Sequence, residues 1–306
     1  MLVLRGARAH QLLRILPAVI PTMILCAGLG TRMRPLTEWC AKPLVPVGDR
    51  PALAHILERV SGGRVVVNAH HQAEDLRDFI ARRSDEIGLS EEVELLGTAG
   101  GVARAAPLLG SGDVLIWNGD ILAAIDAAAL ARAHASADVA ATLAVAPRAK
   151  GEGTVGVDAD GRVVRLRKES VRDGEVRGGE FLGVHVFGER LRAALPERGC
   201  LVGDVYLPAM RAGAVVGVHW FDGAWWDIGT LESYRAACFG WLAPRAKWVA
   251  AGARVDAGVS LDRCIVGAGA SITGEGSVRD AIVWPGATLA APARGVIATP
   301  RGVVRA

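Results

Sequence analysis

Gly28, Gly30, Arg32, Arg34 and Lys42 follow a short apolar run, Met23 to Cys26. A backbone N–H approaches a phosphate closely only where no Cβ intervenes, and Gly28 and Gly30 meet that condition in Ala27-Gly28-Leu29-Gly30-Thr31. The two guanidiniums and the lysine add fixed positive charge for a polyphosphate. Other glycine loops fail on spacing. A dinucleotide-binding loop needs glycine where Met33 stands, and no Gly-Lys-Ser/Thr follows Gly28 to make a P-loop. Two aspartates add a second kind of group, in Asn118-Gly119-Asp120 and in Trp226-Asp227-Ile228-Gly229-Thr230. An aspartate just beyond a buried strand is placed to hold a metal at the strand end, and magnesium takes one or two carboxylates together with phosphate oxygens and water. Alone, Asp120 could cap a helix and Asp227 could close an Asx turn. With the arginine-rich loop they describe phosphoryl-transfer chemistry on a nucleoside triphosphate.

These residues need a scaffold that brings them together. Ile24–Cys26 reads as a first strand, Ala52–Val60 as a helix, and the β-branched run Arg64–Asn68 as a buried parallel strand. Gln72–Arg83 is a charged helix with Leu76, Phe79 and Ile80 on one face. Glu92–Leu96, Val114–Trp117 and Val139–Ala146 read as strands, and Ala127–Ala135 as a helix. This alternation predicts an α/β fold: an open, mostly parallel, Rossmann-like sheet flanked by helices, with ligands at the C-terminal strand ends. From Gly151 the chain changes to short strands, Val155–Asp158, Val163–Arg167 and Phe181–Phe187, with Asp158-Ala159-Asp160-Gly161 as a hairpin turn. Glu189–Leu195 and Tyr206–Ala212 read as helices.

The tail repeats. Val249–Val255, Val266–Ile272 and Val283–Leu289 align at a spacing of 17, with Gly252, Gly269 and Gly286 coincident. Apolar residues recur every six, which marks a parallel β-helix with glycine at its corners. Such coils are stable only when stacked on neighbours, so fewer than three full coils make a cap or an interface.

With 306 residues, 51% of them apolar, the chain has material for one large domain and a small one. A net charge of +3 and the lack of a basic run argue against a nucleic-acid partner. No apolar stretch is long enough to span a membrane. The five cysteines are scattered without metal-ligand spacing and read as reduced thiols of a cytoplasmic protein. Residues 1–22 read as an extension, disordered or ahead of a natural start near Val19 or Met23.

The string Ala27–Thr37 with Lys42-Pro43-Leu44-Val45-Pro46-Val47 resembles the signature of the sugar-phosphate nucleotidyltransferases, which join a sugar 1-phosphate to a nucleotide and release pyrophosphate. The resemblance runs from about Met23 to Leu242, so it implies a catalytic domain over 23–242 and a tail over 243–306. It implies catalytic roles for Arg32, Lys42, Asp120 and Asp227, with both aspartates on a magnesium ion. It implies nucleotide contacts from Ala27, Gly28, Gly30 and Thr31, and from Gly97, Thr98, Gly100 and Gly101, whose small side chains let a base lie against backbone. Lys168, Glu180 and Gly183 are the implied sugar-phosphate residues. Departures are Cys26 for the usual alanine and Arg165-Leu166-Arg167-Lys168-Glu169-Ser170 for the usual Glu-Lys-Pro-like string. His70 and His71 are adjacent and would point to opposite faces, so they read as structural or pocket-lining rather than as joint metal ligands. Many members carry a short left-handed β-helix after this domain, and the tail implies possible homo-oligomer formation or docking onto the catalytic domain. GTP with mannose 1-phosphate is the expected pairing. Uridylyl or thymidylyl transfer to N-acetylmuramate 1-phosphate or glucose 1-phosphate is the alternative. A non-catalytic nucleotide-sugar sensor would not need both aspartates, and a repeat-type acyltransferase would need a tail histidine, whereas none follows His219.

Overall fold

The computed structural model describes residues 20–60 and 62–305. The expectation for residues 1–22 therefore falls mostly outside the described residues. A ten-stranded mixed sheet forms the centre. Its parallel half is β1 (Thr22–Leu25), β2 (Val65–Ala69), β3 (Ile87–Glu91) and β4 (Val114–Asn118), in the order β3-β2-β1-β4. A short β5 (Ile121–Ala123) follows β4. The other half comprises β6 (Ala141–Arg148), β7 (Val155–Val157), β8 (Val163–Leu166), β9 (Glu169–Ser170), β10 (Arg177–Phe187) and β11 (Val216–Trp220). The long β10 joins the halves, running antiparallel to β4, β6 and β7.

Side-chain alternation along buried parallel strands divides the core between two faces. Ile24, Val65, Val67, Leu115 and Trp117 enter one cluster, while Met23, Val66, Val114 and Ile116 enter the other. Helix α1 (Ala52–Leu57) covers the first face with Ile56 and Leu57, and α2 (Ala73–Ala81) adds Leu76. Helix α3 (Gly97–Leu109) covers the second with Ala99, Val102, Ala105 and Leu109. Helix α4 is Ala127–Ala135, and the Asp158–Gly161 turn joins β7 to β8 through Asp158 Oδ1, which accepts from the backbone N–H of Asp160 and Arg162.

One expected strand is displaced. Glu92–Leu96 is a loop, and the strand beside β2 is Ile87–Glu91. The apolar alternation there was misleading, since Val93 is 91% exposed and Glu92 is buried. The expected helix over Tyr206–Ala212 is preceded by a π-helical turn, Leu201–Tyr206, and continues as α5 (Leu207–Arg211). Helix α1 stops three residues short of Val60, and Glu189–Arg192 is shorter than the expected span to Leu195.

After β12 (Trp225–Asp227) and α6 (Leu231–Leu242), the tail stacks parallel strands at an offset of 17, as in Lys247 with Cys264, Ile265 with Ile282 and Ser271 with Thr288. Gly252, Gly269 and Gly286 have φ of 79°, 67° and 70°, so each corner uses backbone freedom that other residues lack. The last stack shortens to an offset of 15, Ile282 with Ile297, and a hairpin through Gly302–Arg305 ends it. The coils dock back onto the larger part of the chain. Trp284 Nε1 donates to the Tyr234 hydroxyl at 2.9 Å, which donates to Pro46 O at 2.6 Å, and Arg235 donates to Gly295 O at 3.0 Å. Ile265, Ile272 and Trp284 belong to the same buried cluster as Ile24 and Leu115.

Candidate active site

The groups with chemistry meet at the C-terminal ends of β1 and β4, where Leu25 pairs with Asn118. The Gly119 N–H donates to Leu25 O at 2.9 Å, and Trp117 Nε1 reaches across the turn to Ile121 O at 2.8 Å. This fixes the turn that carries Asp120. Strand β12 pairs antiparallel with β5, setting Asp227 opposite Ile121, and the Ile228 N–H donates to Asp120 O at 2.9 Å. Two aspartates 107 positions apart, from 120 to 227, thus sit side by side on one ribbon. A Cβ at Gly229 would lie 2.8 Å from Asp227 Oδ1 and 3.1 Å from Arg32 Nη2, so glycine there lets the arginine approach the carboxylate.

Lys42 Nζ is 2.5 Å from Asp120 Oδ2, with side-chain exposures of 12% and 27%. Burial raises the pKa of Asp227, the Asp120 charge raises it further, and Lys42 and Arg32 oppose both. Among the described residues no cluster of three or more His, Cys, Asp or Glu could hold a metal. Two mutually repelling carboxylates fit a hard dication that completes its shell with phosphate oxygens and water.

Two clefts meet here. The first, about 310 Å³, is lined by Gly28, Gly30, Thr31, Arg32, Lys42 and Asp120, among others. Gly28 leaves open space where a Cβ would stand, whereas Gly30 is held against Thr37, whose hydroxyl donates to Gly30 O at 2.8 Å. Ala27 is buried and lies outside the cleft lining. Arg34, one of the cations expected on the phosphates, is turned away and pairs with Glu38 at 3.5 Å, both side chains being more than half exposed. The second cleft, about 330 Å³, is lined by Arg32, Asp120 and Asp227 and by Thr98, Asn118, Glu180 and Gly183, among others. The Thr154 hydroxyl donates to Glu180 Oε1 at 3.0 Å and orients it. Gly183 has φ of 66°, and a Cβ there would lie 2.3 Å from Asn118 Nδ2.

Two expectations change. Lys168 is exposed and outside the second cleft; its neighbour Arg167 lines the cleft instead. Arg167 sits at φ 58°, a left-handed turn after β8, and its guanidinium donates to Cys200 Sγ at 3.2 Å. Gly97, Gly100 and Gly101 do not open space for a base. Cβ atoms at Gly97 and Gly100 would stand 2.4 Å from the backbone oxygens of Gly199 and Glu197, and one at Gly101 would stand 2.8 Å from Asn68 Nδ2 and Glu92 Oε1. Thr98 Oγ1 accepts from the Leu201 N–H at 2.8 Å, so this loop locks α3 to the first residue of the π-helical turn. His70 and His71 each contact a backbone carbonyl, those of Glu92 and Thr37, and they do not converge.

Sequence reasoning missed a buried tie. Asn68 Oδ1 accepts from the Cys26 N–H at 2.6 Å, Asn68 Nδ2 donates to Glu92 Oε1 at 2.6 Å, and Glu92 Oε2 accepts from the Leu96 N–H at 3.0 Å. It joins the start of the glycine loop to the start of α3. A glutamate at the start of a strand-like run was the signal available, but its buried partner Asn68 lies on another segment.

His185 lies fully buried on β10, and burial holds its pKa down at about 3, against an ordinary value of 6.5. His134 is shifted the same way, burial outweighing the pull of Asp113. The unfolded chain takes up these protons near pH 6.5, whereas the folded chain refuses them. The stability contributed by neutral His185 is therefore complete above pH 6.5 and falls as pH drops toward about 3. At about pH 4.5 the expected loss from His185 is roughly 3 kcal/mol relative to neutral pH. Urea unfolding at both pH values checks this, and His185→Phe is expected to flatten the dependence.

Comparison with known proteins agrees with this architecture. Residues 21–240 match the family described as Nucleotidyl transferase, and the chain belongs to it. Within that family it is 34% identical to an N-acetylmuramate alpha-1-phosphate uridylyltransferase of Caulobacter vibrioides, over 70% of this chain and 94% of the relative. It is 29% identical to a mannose-1-phosphate guanylyltransferase of Mycobacterium tuberculosis, over 70% of this chain and 62% of that protein. The crystal structure of HddC from Yersinia pseudotuberculosis shares the fold, with a TM-score of 0.60, 21% identity, and coverage of 72% of this chain and 99% of that one. Among the described residues no helix is long and apolar enough to cross a membrane.

Proposed function

We propose that the protein joins a sugar 1-phosphate to the α-phosphoryl group of a nucleoside triphosphate, releasing pyrophosphate. The carrying observation is the junction of the two clefts at Arg32 and Asp120. One cleft, under the glycine loop, suits the triphosphate, and the other, with Glu180, Gly183 and Arg167, suits the sugar phosphate. The acceptor phosphate has a second pKa of about 6 and is already mostly dianionic at neutral pH, so the reaction requires no general base. Repulsion between two polyanions and charge on the departing pyrophosphate are the obstacles, and positioning with fixed charge overcomes them. Arg32 bears on the reacting phosphoryl oxygens from the junction. Lys42 is held by Asp120 and brings its ammonium to the same place, while Arg167 supplies the cation on the sugar side. Asp120 and Asp227 are the residues that would hold magnesium, which would neutralise phosphate charge there.

Two pairings compete. Uridylyl transfer to N-acetylmuramate 1-phosphate is supported by a relative matched over 94% of its length. Guanylyl transfer to mannose 1-phosphate is supported by the repeat tail, which we read as a short left-handed β-helix and a possible self-association surface. Five unpaired thiols suit a cytoplasmic setting. Pyrophosphate release from a matrix of nucleoside triphosphates and sugar 1-phosphates, with and without magnesium, tests the reading. One pairing is expected to turn over and to stop in chelator. Silence across the matrix with nucleotide-sugar binding retained would instead mark a sensor.

A further inference from the structure

Among the residues lining the second cleft are two polar side chains that no other described residue satisfies. Both ring nitrogens of His185 and the hydroxyl of Tyr206 are buried and lack a hydrogen-bond partner among the described residues. Both residues line the cleft, and their rings meet edge-on with centroids 5.6 Å apart. Burying such groups unpaired is costly, and a phenylalanine would fill either place more cheaply. The walls beside them are apolar, with Phe181 5.3 Å from the His185 ring and with Leu166, Leu201 and Val202 on the same cleft. Gly183, with φ of 66°, sits in the irregular stretch of β10 between Phe181 and His185.

The pair has a definite recognition chemistry. A neutral imidazole offers one N–H donor and one acceptor nitrogen, and a phenol offers a donor and an acceptor. Their target is an uncharged group with its own carbonyl and N–H, and with a short apolar end to lie on the wall. A bare hydroxyl would leave the wall uncovered, and a carboxylate would find no charge on either residue. We infer that His185 and Tyr206 are specificity-determining residues that select a sugar 1-phosphate bearing an acetamido group over its hydroxyl counterpart. This rests on the nucleotidyl-transfer reading and names the substrate class of its sugar cleft.

The test compares N-acetylglucosamine 1-phosphate with glucose 1-phosphate on the full chain, by steady-state kinetics and by calorimetric binding. The wild type is expected to favour the acetamido sugar by about 100-fold in kcat/KM or more. His185→Phe and Tyr206→Phe are each expected to reduce that ratio about 10-fold through KM for the sugar phosphate. KM for the nucleoside triphosphate should stay unchanged, and Tm should be equal or higher. A merely structural pair would leave the ratio untouched. Equal use of both sugars by the wild type, or an unchanged ratio in both variants, overturns the inference. If the wild type releases no pyrophosphate from any pairing, the functional reading fails by itself. Binding then decides the inference: tighter binding of the acetamido sugar that Tyr206→Phe abolishes supports it, and equal binding overturns it.

Discussion

Replacing Arg32 by alanine is expected to lower kcat for pyrophosphate release by about 10²–10⁵-fold with little change in Tm. Among the described residues Arg32 is the one cation that lines both clefts, and it stands beside Asp227 across Gly229. Lys42 is engaged with Asp120, and Arg34 is paired with Glu38 outside the cleft. Neither of these two is therefore placed to take over. The residue is exposed, so its removal should not disturb packing. Arg32→Lys should recover only part of the loss, because a point charge does not reproduce a planar fork across two phosphoryl oxygens. Single-turnover rates with saturating nucleotide check this, and near-normal turnover by Arg32→Ala would remove the residue from the chemistry.

Asp227→Asn should cost about 10³-fold in kcat. The carboxylate is held beside Asp120 by the β5–β12 pairing, and its pKa is raised because burial and the Asp120 charge both disfavour ionisation. Neutralising it relieves that repulsion, so the apo variant should be as stable as the wild type or slightly more so. A second readout separates metal binding from other losses. Magnesium with nucleoside triphosphate should raise the Tm of the wild type, since a ligand that binds only the folded state stabilises it. The variant should show little of that rise. An Asp227→Asn protein that keeps both its turnover and its magnesium-dependent Tm would take the aspartate out of the metal site.

Much of the scaffold was legible from local pattern. The β-branched run before Asn68, the apolar run before Asp120 and the helix over Ala127–Ala135 carry their own backbone preferences. The glycines at the tail corners announce the left-handed turns they make. Legibility failed where the deciding partner was remote. Glu92–Leu96 alternates like a strand, yet Glu92 is drawn inward by Asn68 and by the Leu96 N–H, which leaves the pairing edge to Ile87–Glu91. Lys168 matched the expected residue type, but a left-handed backbone at the preceding position puts Arg167 in the cleft. Gly97 and Gly100 looked like room for a base and are instead room for the backbone of residues 197 to 199.

The sequence by itself determined the glycine loop, its cations, the two aspartates and the helix–strand rhythm, because these follow from residue type and from neighbours a few positions away. Only the tertiary structure decided which of those groups meet. Asp120 and Asp227 are brought together by a strand pairing across more than a hundred residues, and Lys42 is fixed by one of the partners so assembled. His185 and Tyr206 come from separate elements and share, among the described residues, an unmet hydrogen-bonding need at the second cleft. Contacts of that kind depend on sheet register and on layers packed from distant segments, and no local pattern in the chain encodes them.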